Sequence, residues 1–394
     1  MDDPKMAGRP DPKRLGRLLW GAASVALVSL PFWAQSQKAG QPSSGREIFR
    51  HDTFGNETFW TDTLRLHETI AKAVDPTTAL SVGLKVDADA LPPGILKTAD
   101  LKSPATTVAL LKLGAVVGVK GTVVTKDGKD ALVRVGITCA LCHSTVDDSV
   151  MPGIGRRLDG RPNLSLNPGA IIALSPALDA GKKAVYSSWG PGKYDPRFNQ
   201  DGKNGPVVIP PAFGLAGVRQ ATYTGDGDIS YWNNYVAVTQ MAGHGSFKEP
   251  RLGIAIEAKG EDLVKSKLPA LREYQLSLAK PAPPAGSFDD AAARRGQALF
   301  AGAARCATCH SGAAFTDGKL HAPAETGMDP GYAARSATKR YRATPLRALW
   351  QHAPYFHDGN AANLVAVVDH YDAALGLKLT AEQKKDLVEY LKSI

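Results

Sequence analysis

The hydrophobic positions of this chain fall into separate local patterns. An uncharged run of 17 residues, Leu18 to Ala34, follows Lys13, Arg14 and Arg17 and precedes polar Gln35-Ser36-Gln37. A charged flank before an apolar segment, with Ala34-Gln35-Ser36 as a small-x-small site, is the pattern of an export signal. The run also reaches the lower length limit of a membrane anchor, so residues 1–36 are read as a signal peptide or an anchor. Residues 37–58 are polar and glycine-rich and read as a tether. Leu64, Leu66, Ile70 and Val74 then recur near helical spacing over Thr61–Val74, with Thr61 and Asp62 as caps. Alternating valines in 115–120 and 131–137 flank Asp127-Gly128, which predicts a β-hairpin.

From Asp147 to Pro211, glycine and proline interrupt the chain at short intervals and predict a long, functional loop region. Glu261–Ala279 predicts a helix interrupted near Pro269. The proline-rich stretch that follows reads as a stiff linker, 281–288. Asp289 or Asp290 caps the next helix, which runs through Gly296, Leu299 and Phe300. Thr380-Ala381-Glu382-Gln383 is a capping box, and it opens a last helix with Leu387, Tyr390, Leu391 and Ile394 on one face.

The two halves repeat each other weakly. Pro211–Gly227 (P-A-F-G-L-A-G-V-R-Q-A-T-Y-T-G-D-G) parallels Pro345–Gly359 (P-L-R-A-L-W-Q-H-A-P-Y-F-H-D-G). A helix-like stretch follows each, Tyr231–Met241 and Asn363–Tyr371, and each half closes on a Glu-Tyr helix, at Glu273-Tyr274 and Glu389-Tyr390. The expected units are therefore 59–280 and 289–394.

The chain has 4 cysteines in 394 residues. They form two C-x-x-C-H pentapeptides, Cys139-Ala140-Leu141-Cys142-His143 and Cys306-Ala307-Thr308-Cys309-His310. A redox dithiol or a zinc site would need further cysteines or another context. Two complete motifs with no cysteine left over point to c-type haem: each thiol pair bonds one porphyrin, and His143 and His310 become proximal iron ligands. The expected fold is mainly α, two tandem cytochrome c-like haem domains, the first enlarged with loops and a β-hairpin. Haem of this type is normally attached outside the bacterial cytoplasm, so the periplasm of a Gram-negative cell is expected, with the leader cleaved or kept as an anchor through residues 18–34. The net charge of +9 suits solubility or steering towards an acidic partner. No Lys/Arg run with interleaved aromatics points to nucleic acid.

From Gly296 to its end the chain closely resembles the C-terminal domain of bacterial di-haem cytochrome c peroxidases and MauG proteins. The matching stretches are G-Q-A-L-F before the haem motif, F-T-D-G-K-L-H at 315–321 and T-P-L-R at 344–347, then A-P-Y-F-H-D-G at 353–359 and V-V-D-H-Y at 367–371. The resemblance implies a distal ligand on the helix after H-D-G. Methionine holds that place in the peroxidases and tyrosine in MauG; here it is Tyr371, with Met328 and His370 as competitors. For the first haem the internal repeat brings Met241 near the equivalent position, with His244 close by. A peroxidase of this family also uses Gln and Glu side chains in the first domain; this chain has Asn233 and Asn234 there and no carboxylate until Glu249. Trp189 and Trp350 are either packing residues or relays between haems. A calcium ion is implied by the resemblance alone. The expected function is electron transfer through two covalently bound haems, with a small cytochrome or cupredoxin as redox partner. The alternative is an enzyme, a di-haem peroxidase or MauG-like oxidase reducing hydrogen peroxide at the N-terminal haem.

Overall fold

A helix at Gly45–His51 opens the computed structural model, which describes residues 44–394. The expected signal peptide or anchor and the first part of the expected tether lie outside the described residues. Among those described, no helix is long and apolar enough to cross a membrane. The rest of the expected tether is not a tether. Ser44 caps the helix by accepting a bond from the Glu47 amide, and Ile48 and Phe49 are buried in the main core of the first half. At about 1.5–3 kcal/mol for each large side chain removed from water, that burial fixes the segment.

The helix crosses Leu268–Ser277, the closing helix of the first half. At the crossing, a Cβ on Gly45 would lie 1.9 Å from the Ala270 carbonyl oxygen. The rings of Phe49 and Tyr274 meet edge-on at 5.5 Å. The second half repeats this arrangement. Asp289 caps Asp290–Ala301, which crosses Ala381–Ser393, itself opened by the expected Thr380/Gln383 capping box. A Cβ on Gly296 would lie 2.0 Å from the Asp386 carbonyl oxygen, and Phe300 meets Tyr390 edge-on at 5.2 Å. The short string G-R-E-I-F at 45–49 thus does for the first half what G-Q-A-L-F at 296–300 does for the second.

Between that opening helix and its haem motif the first half carries an insert. It includes a helix at Pro104–Lys112 and the expected hairpin, Val119–Lys126 against Lys129–Ile137, antiparallel with a register shift at Thr122/Val123. The helix expected over Thr61–Val74 is two pieces, a π-helical turn at Thr58–Thr63 and an α-helix at Leu66–Ala73. Arg65, with φ of 56°, breaks them apart. The long loop region after the first haem motif also holds short helices, Pro168–Ala173 and Ala180–Ser187, capped by Asn167 and Asp179. The helix expected at Glu261–Ala279 is confined to Leu268–Ser277 after a 3-10 turn at Lys265–Lys267. Residues 281–288 have no regular element.

Buried ion pairs join the halves. Arg335 donates to both oxygens of Asp195, each at 3.0 Å, and to Asp201 at 2.7 Å. Arg197 pairs with Asp226 at 2.6 Å, and the other Asp226 oxygen accepts the Ala337 amide. The Tyr332 ring lies against both guanidiniums. The side chain of Arg335 is 7% exposed and that of Asp195 0%. Charges so enclosed need their partners, because a lone buried ion loses its hydration without compensation.

Two outcomes follow from this packing. Gly296→Ala and Gly45→Ala should each destabilise by about 1–3 kcal/mol through overpacking, read as a shifted urea midpoint; a midpoint within error of the unchanged protein would refute the close crossing. Arg335→Ala leaves Asp195 buried and unpaired and should lose about 3–5 kcal/mol in the same measurement.

Candidate functional site: two C-x-x-C-H motifs

Each motif sits where its half brings a proximal histidine against a backbone carbonyl. Nδ1 of His143 lies 3.0 Å from the Pro210 carbonyl oxygen, and Nδ1 of His310 lies 3.2 Å from that of Phe315. The Thr344 carbonyl also acts on the His310 ring. Pro210 and Thr344 each immediately precede the proline that opens the internal repeat, Pro211 or Pro345. The bonded carbonyl therefore comes from the start of the repeat for His143 and from the loop after the motif for His310. A carbonyl accepting from Nδ1–H fixes the tautomer and leaves Nε2 as the free lone pair for a metal. Burial lowers the pKa of both rings, that of His143 to about 4, so both are neutral at pH 7, as a ligand must be. The four cysteines are unpaired with one another.

Beside His310 lies a cavity of about 380 Å³, within the roughly 300–1,000 Å³ of ligand pockets. Its walls come from both halves: Pro210, Phe213 and Tyr223 from the first, and Phe300, Leu387 and Leu391 among others from the second. Cys306, Cys309, Tyr371 and Met328 also line it. Burial, and then the Cys306 and Cys309 sulfurs, raise the pKa of the Tyr371 phenol above its ordinary value. His370 is turned elsewhere: its Nε2 lies 2.9 Å from the Thr326 carbonyl oxygen. The resemblance-derived motifs surround the same space. Asp317 and Glu325 hold His321 from its two nitrogens, each at 3.1 Å, and His357 lies 3.1 Å from the Tyr341 hydroxyl. An apolar space with a histidine at one wall and orphaned polar atoms at others, Arg342 Nε and His352 Nε2, fits an amphipathic planar group such as haem.

The first motif is embedded more tightly. Cys139 packs against the core cluster that contains Ile48, Phe49, Trp232, Tyr235 and Met241. Cys142 packs with Leu141, Leu166, Ile209 and Tyr194. Met241 is 4% exposed, at the end of the Ile229–Thr239 helix, whereas His244 is exposed. Asn233 donates to Gln275 at 2.7 Å and Asn234 to the Ser246 carbonyl at 3.1 Å. Glu249 is buried, but it accepts two bonds from the Arg251 guanidinium, at 2.8 and 2.5 Å, and one from the Tyr231 hydroxyl. The Arg251 guanidinium holds its pKa below the usual carboxylate value.

Trp189 packs with Tyr186, Tyr194 and Phe198 and donates to Asn204; neither it nor Trp350 is among the residues that line the cavity. His352 does line it, with its ring 5.9 Å from Phe213, and sequence reading missed it. Nothing in its local spacing distinguishes it. Among the described residues, the one cluster of three metal-type side chains is Cys309, Asp317 and His321. It is part of this site and lacks the oxygen-rich shell that calcium takes.

Cys306→Ala/Cys309→Ala, made in a host that matures c-type cytochromes, should lose one covalently bound haem per chain, counted by intact mass and pyridine haemochrome. An unchanged haem count would overturn the attachment site.

Part of the chain is similar to known proteins. The cytochrome c family model matches residues 293–394. The chain is 35% identical over 120 residues to methylamine utilization protein MauG of Methylorubrum extorquens, covering 26% of this chain and 34% of that protein. It is 29% identical over 152 residues to cytochrome-c peroxidase IdrP1 of Pseudomonas sp. strain SCT, covering 27% and 40%. The chain thus spans between a third and two fifths of the length of these curated relatives. Among solved structures, a MauG-like protein associated with microbial copper homeostasis matches with a TM-score of 0.33 and 21% identity, over 48% of this chain and 74% of that one. The match to a cytochrome c domain covers residues 293–394, and the likeness to MauG and to a cytochrome-c peroxidase likewise covers only part of the chain.

Proposed function

We propose that this protein is an exported di-haem c-type cytochrome that transfers electrons, one haem at each C-x-x-C-H motif. The observation that carries this reading is the state of Glu249. Peroxide cleavage needs a side chain that can move a proton between two oxygens. Asparagine at 233 and 234 hydrogen-bonds but does not shuttle protons, and the next carboxylate is held by Arg251 and Tyr231. A haem at each motif supplies one-electron exchange between ferric and ferrous iron.

The chain's own side chains do the rest. Cys139 and Cys142, and Cys306 and Cys309, anchor each group at fixed places. His143 and His310 present Nε2 to the metal, oriented through Nδ1. Met241 and Tyr371 are the distal ligands in this reading. Thioether sulfur at 241 favours a high potential, and phenolate oxygen at 371 favours ferric iron and a low one. Their contrast would give the protein two unlike redox centres. A periplasmic location and a small cytochrome or cupredoxin partner go with this reading, with residues 18–34 as the export or anchoring segment. It includes no role in nucleic-acid binding.

The likeness to a cytochrome-c peroxidase and to MauG supports the second reading, an enzyme acting on hydrogen peroxide at the N-terminal haem. Low-temperature EPR of the ferric protein separates the two. Two low-spin signals are expected, one turning high-spin in Met241→Ala and the other changed by Tyr371→Phe but not by Met328→Leu. A high-spin signal in the unchanged protein, together with peroxide turnover, would replace the carrier with the enzyme.

A further inference from the structure

The cavity beside His310 contains a charge problem that the polypeptide does not solve. Arg342 lines this cavity, and its Nε is buried without a partner. Its Nη1 donates to the Gln220 carbonyl, a neutral group. Burial pushes its pKa down to about 10, with only Tyr223 acting the other way. Arg347 also lines the cavity, is half-buried, and donates to the Ala216 carbonyl at 3.3 Å. Among the described residues neither arginine forms an ion pair, although Arg335, Arg197 and Arg295 all do. Arginine is rarely buried unless paired, because the lost hydration must be replaced by an anion or by a full set of acceptors. Carbonyls of the first half, at Ala216 and Gln220, hold both guanidiniums in place while leaving donors over.

We propose that Arg342 and Arg347 form an anion site that takes the two carboxylates of the haem bound by Cys306, Cys309 and His310, one guanidinium to each. The inference rests on the reading that the second motif carries haem. The porphyrin has two propionates, and of the three arginines without a carboxylate partner that line the cavity, Arg342 and Arg347 are at least half-buried whereas Arg305 is exposed to solvent. Guanidinium suits carboxylate geometry because its parallel N–H groups match the two oxygens. The site has a redox consequence as well as a binding one. A positive charge near the iron opposes the ferric state, which carries one more positive charge than the ferrous, so these arginines raise the reduction potential. Because their anchoring carbonyls belong to the first half, that potential depends on how residues 216–220 are placed.

The test is a spectroelectrochemical titration of the holoprotein. The wave of the second haem is the one lost in Cys306→Ala/Cys309→Ala. Arg342→Gln should lower the midpoint of that wave, and Arg342→Lys, which keeps the charge, should restore most of it. Arg347→Gln, at a more exposed position where solvent screens the charge, should lower it less, and it also serves if Arg342→Gln does not fold. A midpoint unmoved by either glutamine, or a loss of thermal stability without a change of potential, would make these arginines purely structural. A haem count showing no group at the second motif of the unchanged protein would overturn the haem reading itself, and intact mass tells that case from the other.

Discussion

Two helix crossings set the frame on which the candidate sites hang. In each, a glycine faces a backbone carbonyl at a distance that no Cβ could occupy, Gly45 against Ala270 and Gly296 against Asp386. The close approach brings an aromatic pair together beside the crossing, Phe49 with Tyr274 and Phe300 with Tyr390. In the second half the consequences reach the site directly. Phe300, Leu387 and Leu391 pack in the cluster at the crossing and also wall the cavity beside His310. The shape of that cavity therefore depends on how deeply two helices interlock. Glycine at a helix interior costs about 0.5–1 kcal/mol against alanine, which is small beside the packing that the missing side chain permits.

A second constraint orients the metal-facing rings. Each histidine needs a carbonyl that is free of helical bonding and held still. A residue that precedes proline is pushed out of the helical region, so its carbonyl is available to a side chain. Pro210 and Thr344 occupy that place in the two copies of the internal repeat, and the Pro210 carbonyl bonds His143. The two copies differ in what surrounds them: His310 takes its acceptor from Phe315, in the loop after the second C-x-x-C-H motif.

What could be read from sequence follows the range of the interaction involved. C-x-x-C-H is local chemistry, so spacing alone was enough to propose its six residues as attachment and proximal candidates. The hairpin and the closing capping box were also legible, because a turn or a cap is written in adjacent residues. The helix at Gly45–His51 was not. Seven residues hold too little periodicity to stand out, and short helices owe their stability to tertiary packing, here on Leu271 and Tyr274. Its glycine suggested a flexible tether because sequence alone does not show what lies opposite it. Candidate distal residues pose the same difficulty. His370 and Tyr371 are neighbours on one helix and point about 100° apart, so a small error of alignment exchanges them. The structure turns His370 to the Thr326 carbonyl and Tyr371 to the cavity.

The two candidate sites are linked through one segment. The Pro210 carbonyl bonds His143, while Pro210 itself lines the cavity beside His310 and Phe213 packs on His352 in the same wall. Any movement of this segment changes both environments together. The buried pair of Arg335 with Asp195 and the bond from the Ala337 amide to Asp226, itself paired with Arg197, restrain such movement, since they pin the 195–226 region of the first half to residues 335–338 of the second. Buried pairs of this kind are weak contributors to net stability but costly to break. Their role here is to fix a register between halves. In the proposed electron-transfer role, a fixed register would hold the two centres at a constant separation, because the segment 210–213 contributes to the surroundings of both.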